Sequence, residues 1–207
     1  MSLEYLTRYG ASDLPGILKS IVYLHGFISS PESRKAVMLG DYVRNIAGDV
    51  RYEVPRLHHR PAIAVSAVEA LCADIPAGDL TLVGSSLGGF YATVIAERLG
   101  CRAALLNPAV HPHRHFTRYL GHQRNMYTGE SFDLTMEHVQ ELTALDVPAI
   151  SRPERYWLIV ETGDEVLDYR EATAFYAGAL QTVEQGGDHA LSSFAEHVPD
   201  LVEWARS

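Results

Sequence analysis

The stretch Leu80-Thr81-Leu82-Val83-Gly84-Ser85-Ser86-Leu87-Gly88-Gly89-Phe90-Tyr91-Ala92-Thr93-Val94-Ile95-Ala96-Glu97-Arg98-Leu99 decides how this chain reads. An apolar run ends in G-x-S-x-G and passes into a pattern with helical character. That is a strand, a sharp turn and a helix. Such a turn holds its central serine in a strained conformation with Oγ exposed. Gly84 and Gly88 remove the Cβ atoms that would collide where strand and helix converge. The helix start adds unpaired N–H groups and a positive dipole end, both suited to a developing oxyanion. Ser86 is therefore a candidate nucleophile, against the plainer reading of a Gly-rich turn.

A nucleophilic serine needs a base and a group that orients the base. Both follow in the order such sheets use, each after its own strand. Tyr156-Trp157-Leu158-Ile159-Val160 runs into Glu161-Thr162-Gly163-Asp164, and Leu180-Gln181-Thr182-Val183 leads to Gly186-Gly187-Asp188-His189. Asp164 and His189 are the acid and base candidates. Asp188 adjoins His189, but neighbouring residues rarely aim their side chains at one another, so Asp164 is preferred. Glu165 and Asp168 are weaker candidates, and Asp168 reads as a helix cap.

Outward from this centre, strand-like and helix-like runs alternate, the signature of an α/β fold with a mainly parallel sheet and helices on both faces. Strands are expected at 20–24, 50–53, 80–84, 103–106, 156–161 and 181–185, for a sheet of about six or seven strands. A first helix is expected from Ser30-Pro31, with serine as cap and proline at the first position. Its apolar face would be Met38, Leu39, Tyr42, Val43 and Ile46. Further helices are expected at 62–73, from Asp168 to Ala179, and from Ser193 toward Trp204. Residues 1–19 show no clear period.

The alternation breaks at 108–150. A gap that long is more often functional than idle. We read 111–150 as a small cap over the carboxyl ends of the strands, within a single domain spanning 1–207. An ordinary crossover helix with a long lead-in is the alternative. Phe116, Tyr119, Leu120 and Tyr127 offer apolar and aromatic surface, with Tyr119 and Tyr127 as candidate substrate contacts. A roof this small favours short to medium acyl groups.

The second oxyanion donor is expected from the loop after the first strand, where Ile21-Val22-Tyr23-Leu24 meets His25-Gly26-Phe27. The backbone N–H of Phe27 would join that of Leu87, and Phe27 would also touch substrate. His25 reads as a structural residue holding this loop.

The 207 residues are 47% apolar and 21% charged, as in a globular chain. A net charge of −9 argues against nucleic acid or an anionic membrane as partner. No apolar run is long enough to span a bilayer and no signal peptide is visible. Cys72 and Cys101 read as free thiols in a reducing compartment, so a cytoplasmic location is expected. Oligomeric state is not legible.

The chain resembles the YqiA/YcfP-like esterases, a compact bacterial branch of the α/β-hydrolase superfamily, from about Ile21 to Trp204. The likeness rests on Tyr23-Leu24-His25-Gly26-Phe27 with Ser29-Ser30-Pro31, on Gly84-Ser85-Ser86-Leu87-Gly88-Gly89, and on Asn107-Pro108-Ala109-Val110. It continues through Tyr127-Thr128-Gly129-Glu130, Thr162-Gly163-Asp164-Glu165-Val166-Leu167-Asp168-Tyr169 and Gly186-Gly187-Asp188-His189-Ala190. The resemblance implies an α/β-hydrolase fold, a Ser86-His189-Asp164 triad, and hydrolysis of carboxylic esters or acyl thioesters without cofactor or metal. One departure is the histidine-rich run His111-Pro112-His113-Arg114-His115. Two rival readings remain: a hydrolase-fold protein that binds a small ligand with little turnover, and a metal site built from these histidines.

Overall fold

The computed structural model describes residues 19–125 and 127–207. Six strands form one parallel sheet: β1 (Ser20–Leu24), β2 (Arg51–Glu53), β3 (Leu80–Ser85), β4 (Arg102–Leu106), β7 (Tyr156–Glu161) and β8 (Leu180–Glu184). Their order is β2-β1-β3-β4-β7-β8. Strands β1, β3 and β7 are buried along their whole length, which explains their nearly unbroken apolar sequence.

Helices α1 (Arg34–Ile46) and α6 (Phe194–Arg206) cover one face, where Leu39 and Val43 pack with Ile21, Tyr23, Phe194, Val198 and Leu201. The other face carries α2 (Pro61–Cys72), α3 (Leu87–Leu99), α4 (Met136–Ala144) and α5 (Tyr169–Phe175) around Val22, Leu82, Leu105 and Leu158. The chain leaves β1 toward β2 and then returns to place β3 on β1's other side. The order therefore reverses at β1 and β3. In open parallel sheets that reversal opens a crevice beyond the strand ends, where ligands bind.

Register sets what meets there. Leu24 pairs with Gly84, Ser85 with Leu106, and Glu161 with Glu184. The loops beginning at His25, Ser86, Asn107 and Thr162 consequently leave the same edge of the sheet.

Several element ends differ from the sequence expectation. The first helix starts at Arg34 because Ser30 builds a turn instead of a cap. Its Oγ accepts the Glu32 N–H at 3.1 Å and its carbonyl accepts the Ser33 N–H at 3.1 Å. Ile46, expected on the buried face, is 66% exposed at the last helical position. Asp168 does cap α5, accepting the Arg170 N–H at 2.9 Å, but the helix ends at Phe175 and not at Ala179. Strand β2 starts one residue later than expected and ends where expected, and β8 is displaced by one residue toward the N-terminus.

Between β4 and β7 lies a hairpin that sequence periodicity did not reveal, β5 (Gly121–Arg124) against β6 (Ser131–Leu134), followed by α4. Asn125 forms its turn, accepting the Tyr127 and Thr128 N–H groups, and donates Nδ2–H to the Ser29 carbonyl at 2.7 Å. The hairpin is thus tied to the loop after β1.

Candidate active site

Ser86 lies between β3 and α3 with φ 56° and ψ −122°. A non-glycine residue in such a region costs about 1–3 kcal/mol unless its surroundings enforce it. They do so here. The Ser86 N–H donates to the Leu106 carbonyl at 3.1 Å, and its carbonyl accepts the N–H groups of Gly89 at 2.9 Å and Ala109 at 3.0 Å. Strand and helix approach closely enough that a Cβ on Gly84 would lie 2.3 Å from the Gly88 oxygen. One on Gly88 would lie 2.0 Å from the Leu24 oxygen. Glycine at both positions is a requirement of space.

His189, on the loop after β8, brings Nε2 to 3.1 Å from Ser86 Oγ and Nδ1 to 2.8 Å from Asp164 Oδ2. Asp164, on the loop after β7, uses Oδ1 to accept the N–H groups of Val166 at 2.8 Å and Leu167 at 2.9 Å. Burial pushes its carboxyl pKa up. The His189 hydrogen bond and the two backbone donors outweigh burial and hold it below the usual carboxylate range. The three groups are far apart in sequence and form one continuous hydrogen-bonded chain. That chain can draw a proton from Oγ and hold the resulting imidazolium. Asp188 takes another part: its N–H and carbonyl bind Glu161 and Asn107.

The loop after β1 abuts the serine. A Cβ on Gly26 would lie 3.3 Å from Ser86 Cβ. The N–H groups of Phe27 and Leu87 donate to no acceptor among the described residues. His25 is 4% exposed and holds this loop. Its Nε2 accepts the Leu57 N–H at 3.2 Å, which leaves Nδ1–H to donate to the Gly26 carbonyl at 3.0 Å. Burial lowers its pKa and favours this neutral form.

Two residues that sequence reasoning passed over hold the histidine loop. Glu161 ends β7 at 1% exposure. Its carboxylate accepts N–H groups from Asp188 at 2.7 Å, Ser192 at 3.0 Å and Ser193 at 2.8 Å, and the Ser192 hydroxyl at 3.2 Å. Burial would raise its pKa, but these donors prevail and hold it at about 2. Asn107 accepts the Glu161 N–H at 3.0 Å and donates to the Asp188 carbonyl at 3.0 Å. A carboxylate closing a strand gives no sequence signal of this role. The neighbouring Gly186-Gly187 pair was the available hint, since both have positive φ and a Cβ on Gly187 would fall 2.0 Å from Glu161 Oε2.

Two cavities meet at Ser86 and His189. One, of about 260 Å³, is walled by Leu87, Val110, Phe116, Tyr119 and Leu167. The other, of about 460 Å³, is walled by Ser29, Arg34, Lys35, Met38 and Tyr127. Phe27 borders both. Its ring packs edge-on to Phe116 at 5.0 Å and against Tyr119 at 5.9 Å. Tyr119 and Tyr127 therefore stand in different cavities. Of the histidine run, His111 Nδ1 is bonded to Asp146 at 2.8 Å, and His113 Nδ1 lies 3.6 Å from the same carboxylate. Among the described residues, no group of three His, Cys, Asp or Glu side chains is placed to hold a metal ion.

The sheet order and the serine turn define an α/β-hydrolase fold, and solved structures share it. A candidate hydrolase from Agrobacterium vitis S4 superposes with a TM-score of 0.71 at 15% identity, covering 91% of this chain and 88% of its own. Mouse alpha/beta hydrolase domain-containing protein 10 gives 0.68 at 14% identity, with coverages of 89% and 90%. Est1E from Butyrivibrio proteoclasticus gives 0.68 at 15% identity, with coverages of 94% and 91%. Residues 20–206 match the profile of the uncharacterised protein family UPF0227, and the chain belongs to that family, the one its resemblance to YqiA-like esterases pointed to.

Proposed function

We propose that this protein is a serine hydrolase acting on carboxylic esters or acyl thioesters of short to medium acyl chain. The observation that carries the reading is the unbroken hydrogen-bonded chain from Asp164 through His189 to Ser86 Oγ, beside two N–H groups with no acceptor among the described residues. Ser86 Oγ attacks the acyl carbonyl while His189 Nε2 takes its proton. Phe27 and Leu87 N–H groups hold the oxyanion, and Asp164 stabilises the imidazolium. The intermediate collapses, the bond to the leaving oxygen or sulfur breaks, and His189 returns the proton to it. Water, deprotonated by His189, then releases the acid from Ser86. Residues 111–150 act as the cap within a single domain, and their aromatic wall receives the acyl chain. The route uses no cofactor. Cys72 and Cys101 are buried free thiols, and burial pushes their pKa values up to about 11 and about 12. Two cysteines left unpaired fit a reducing compartment such as the cytoplasm.

A fluorophosphonate probe tests the reading. A mass adduct on the Ser86 peptide, blocked by prior incubation with a short-chain ester, is the expected result. A folded protein that takes up no adduct and turns over no ester or acyl thioester would leave small-ligand binding as its function.

A further inference from the structure

The larger cavity beside Ser86 carries positive charge that the fold does not use. Arg34 and Lys35 open α1. The first turn of that helix holds no acidic residue, and its cap residue Ser33 makes no side-chain capping bond. Cations at a helix N-terminus oppose the helix dipole, which favours anions there. Ser33 Oγ is buried with no hydrogen-bond partner among the described residues. The exposed Arg34 side chain makes no ion pair or hydrogen bond among the described residues. Lys19, the chain's other lysine, is by contrast matched by Asp79 at 3.3 Å.

The remaining charges on the wall are accounted for. Lys35 Nζ donates to the Ala190 carbonyl at 2.7 Å. Burial pulls its pKa down to about 8, against the opposing field of Asp188, Asp164 and Glu161, with Asp188 acting most strongly. Glu165 accepts the His189 N–H at 3.0 Å. Glu165 and Asp188 both line the His189 side of the cavity, so a dianion entering it would be repelled there. Arg34 and the helix start form the part of the wall that no carboxylate pairs with among the described residues.

We propose that this cavity is a subsite for a monoanionic carboxylate on the substrate, held by Arg34 and the start of α1. The proposal rests on Ser86 as nucleophile and narrows its substrates to esters carrying a carboxylate in one half. The smaller cavity carries one charge of each sign, Arg118 over the Tyr119 ring and Glu171, beside its aromatic wall, and takes the uncharged half.

Matched ester pairs test it. On the leaving-group side, 4-acetoxybenzoate is compared with its neutral methyl ester; on the acyl side, monophenyl glutarate with methyl phenyl glutarate. One charged ester is expected to exceed its neutral partner in kcat/KM by about tenfold or more, the worth of a charge-assisted hydrogen bond. Which pair responds identifies the half that enters the cavity. Arg34→Gln should erase the advantage and leave the neutral esters unchanged, and Arg34→Lys should restore part of it. No preference in either pair, or an equal loss on all four esters in Arg34→Gln, overturns the subsite. Lys35 is left intact because it holds the backbone next to His189. Benzoate binding to Ser86→Ala, measured by calorimetry with and without Arg34→Gln, separates the two readings. Binding that depends on Arg34 supports the subsite even if no ester is cleaved. Neutral-ester turnover with no Arg34-dependent benzoate binding removes the subsite and keeps the hydrolase.

Discussion

The loops after β7 and β8 and the segment between β4 and β7 meet at the same serine, but they are held by different forces. In the first, Glu161 is 1% exposed and the Asp164 side chain 2%. Their carboxylates accept backbone N–H groups, and hydrogen bonds to charged groups are worth about 1.5–3 kcal/mol each. In the second, the contacts are softer. Phe116, Tyr119 and Phe132 meet Phe27 through ring edges and tilted faces, each pair worth about 0.5–1.5 kcal/mol. His59 stacks on Phe132 at 4.4 Å and shares a 3.0 Å contact with His138. Farther from the serine, Arg60 pairs with Glu137 at 2.8 Å, a partly exposed pair worth about 0–1 kcal/mol, and more firmly with Glu141, whose carboxylate accepts the Arg60 Nε–H at 2.8 Å and the Ala62 N–H at 3.2 Å. Under the proposed function, the groups that would hold a proton-transfer geometry are locked by buried charge, and those that would meet a variable chain are held by contacts that can shift.

The largest expected effect breaks the locked side at its end. Ser86→Ala should lower kcat by about a millionfold, as loss of a triad nucleophile does, while the fold survives, since among the described residues Oγ bonds only His189. Ser85→Ala should keep most of its activity, because His189 Nε2 bonds the Ser86 hydroxyl and not that of Ser85. Steady-state rates on a short-chain ester, with circular dichroism on both variants, check this. Comparable losses at the two serines would count against Ser86.

Next is the tautomer. In Asp164→Asn, the amide oxygen would stay with the Val166 and Leu167 N–H groups that Oδ1 now accepts. The NH₂ group would then face His189 Nδ1, which must become the acceptor, and Nε2 would carry its proton toward Ser86. A loss of about 10⁴ in kcat is expected from that inversion. Asp188→Asn should cost far less, since the Asp188 contacts to Glu161 and Asn107 are through its backbone. A larger loss from Asp188→Asn would reassign the acid.

Glu161 probes stability. Its folded pKa of about 2 lies below the ordinary value of 4.5. The stability it contributes is therefore complete above about pH 4.5 and lost as pH falls through about 2, on the order of 3 kcal/mol in all. Glu161→Gln should lower Tm at neutral pH by about 5–10 °C and flatten the stability curve between pH 4.5 and 2. Thermal melts across that window measure both, and a variant curve parallel to wild type would show that the carboxylate does not hold the loop.

This division also explains what the sequence disclosed. Ser86, Asp164 and His189 are legible because each sits in a local pattern with a steric cause, such as the glycines that β3 and α3 require. Glu161 and Asn107 are not. Their partners lie 27 to 82 residues away, and a polar residue closing a strand looks the same whether it is solvated or buried. The β5–β6 hairpin was missed because its residues are largely exposed and polar, so no alternation marks it. The start of α1 was misplaced because Ser30-Pro31 signals a cap and a turn equally well, and the choice depends on what Ser30 Oγ finds.

The smallest expected effect belongs to the soft side and separates its two tyrosines. Tyr119 lines the apolar cavity, with its ring 5.5 Å from Phe116 and the Arg118 guanidinium 4.9 Å from its centroid. Tyr127 is 58% exposed and lines the larger cavity. Removing the Tyr119 ring deepens the apolar pocket without touching the serine, histidine or aspartate. Tyr119→Ala should move the preferred acyl chain toward greater length, with each methylene worth about 1–3 kcal/mol of discrimination. Tyr127→Ala should leave the chain-length profile where it is. Rates on a homologous series of nitrophenyl esters decide the matter. A shift in both variants would mean that the acyl chain reaches the larger cavity. A profile unchanged in Tyr119→Ala, with kcat falling alike for every ester, would mean that the aromatic wall supports the site and does not choose its substrate.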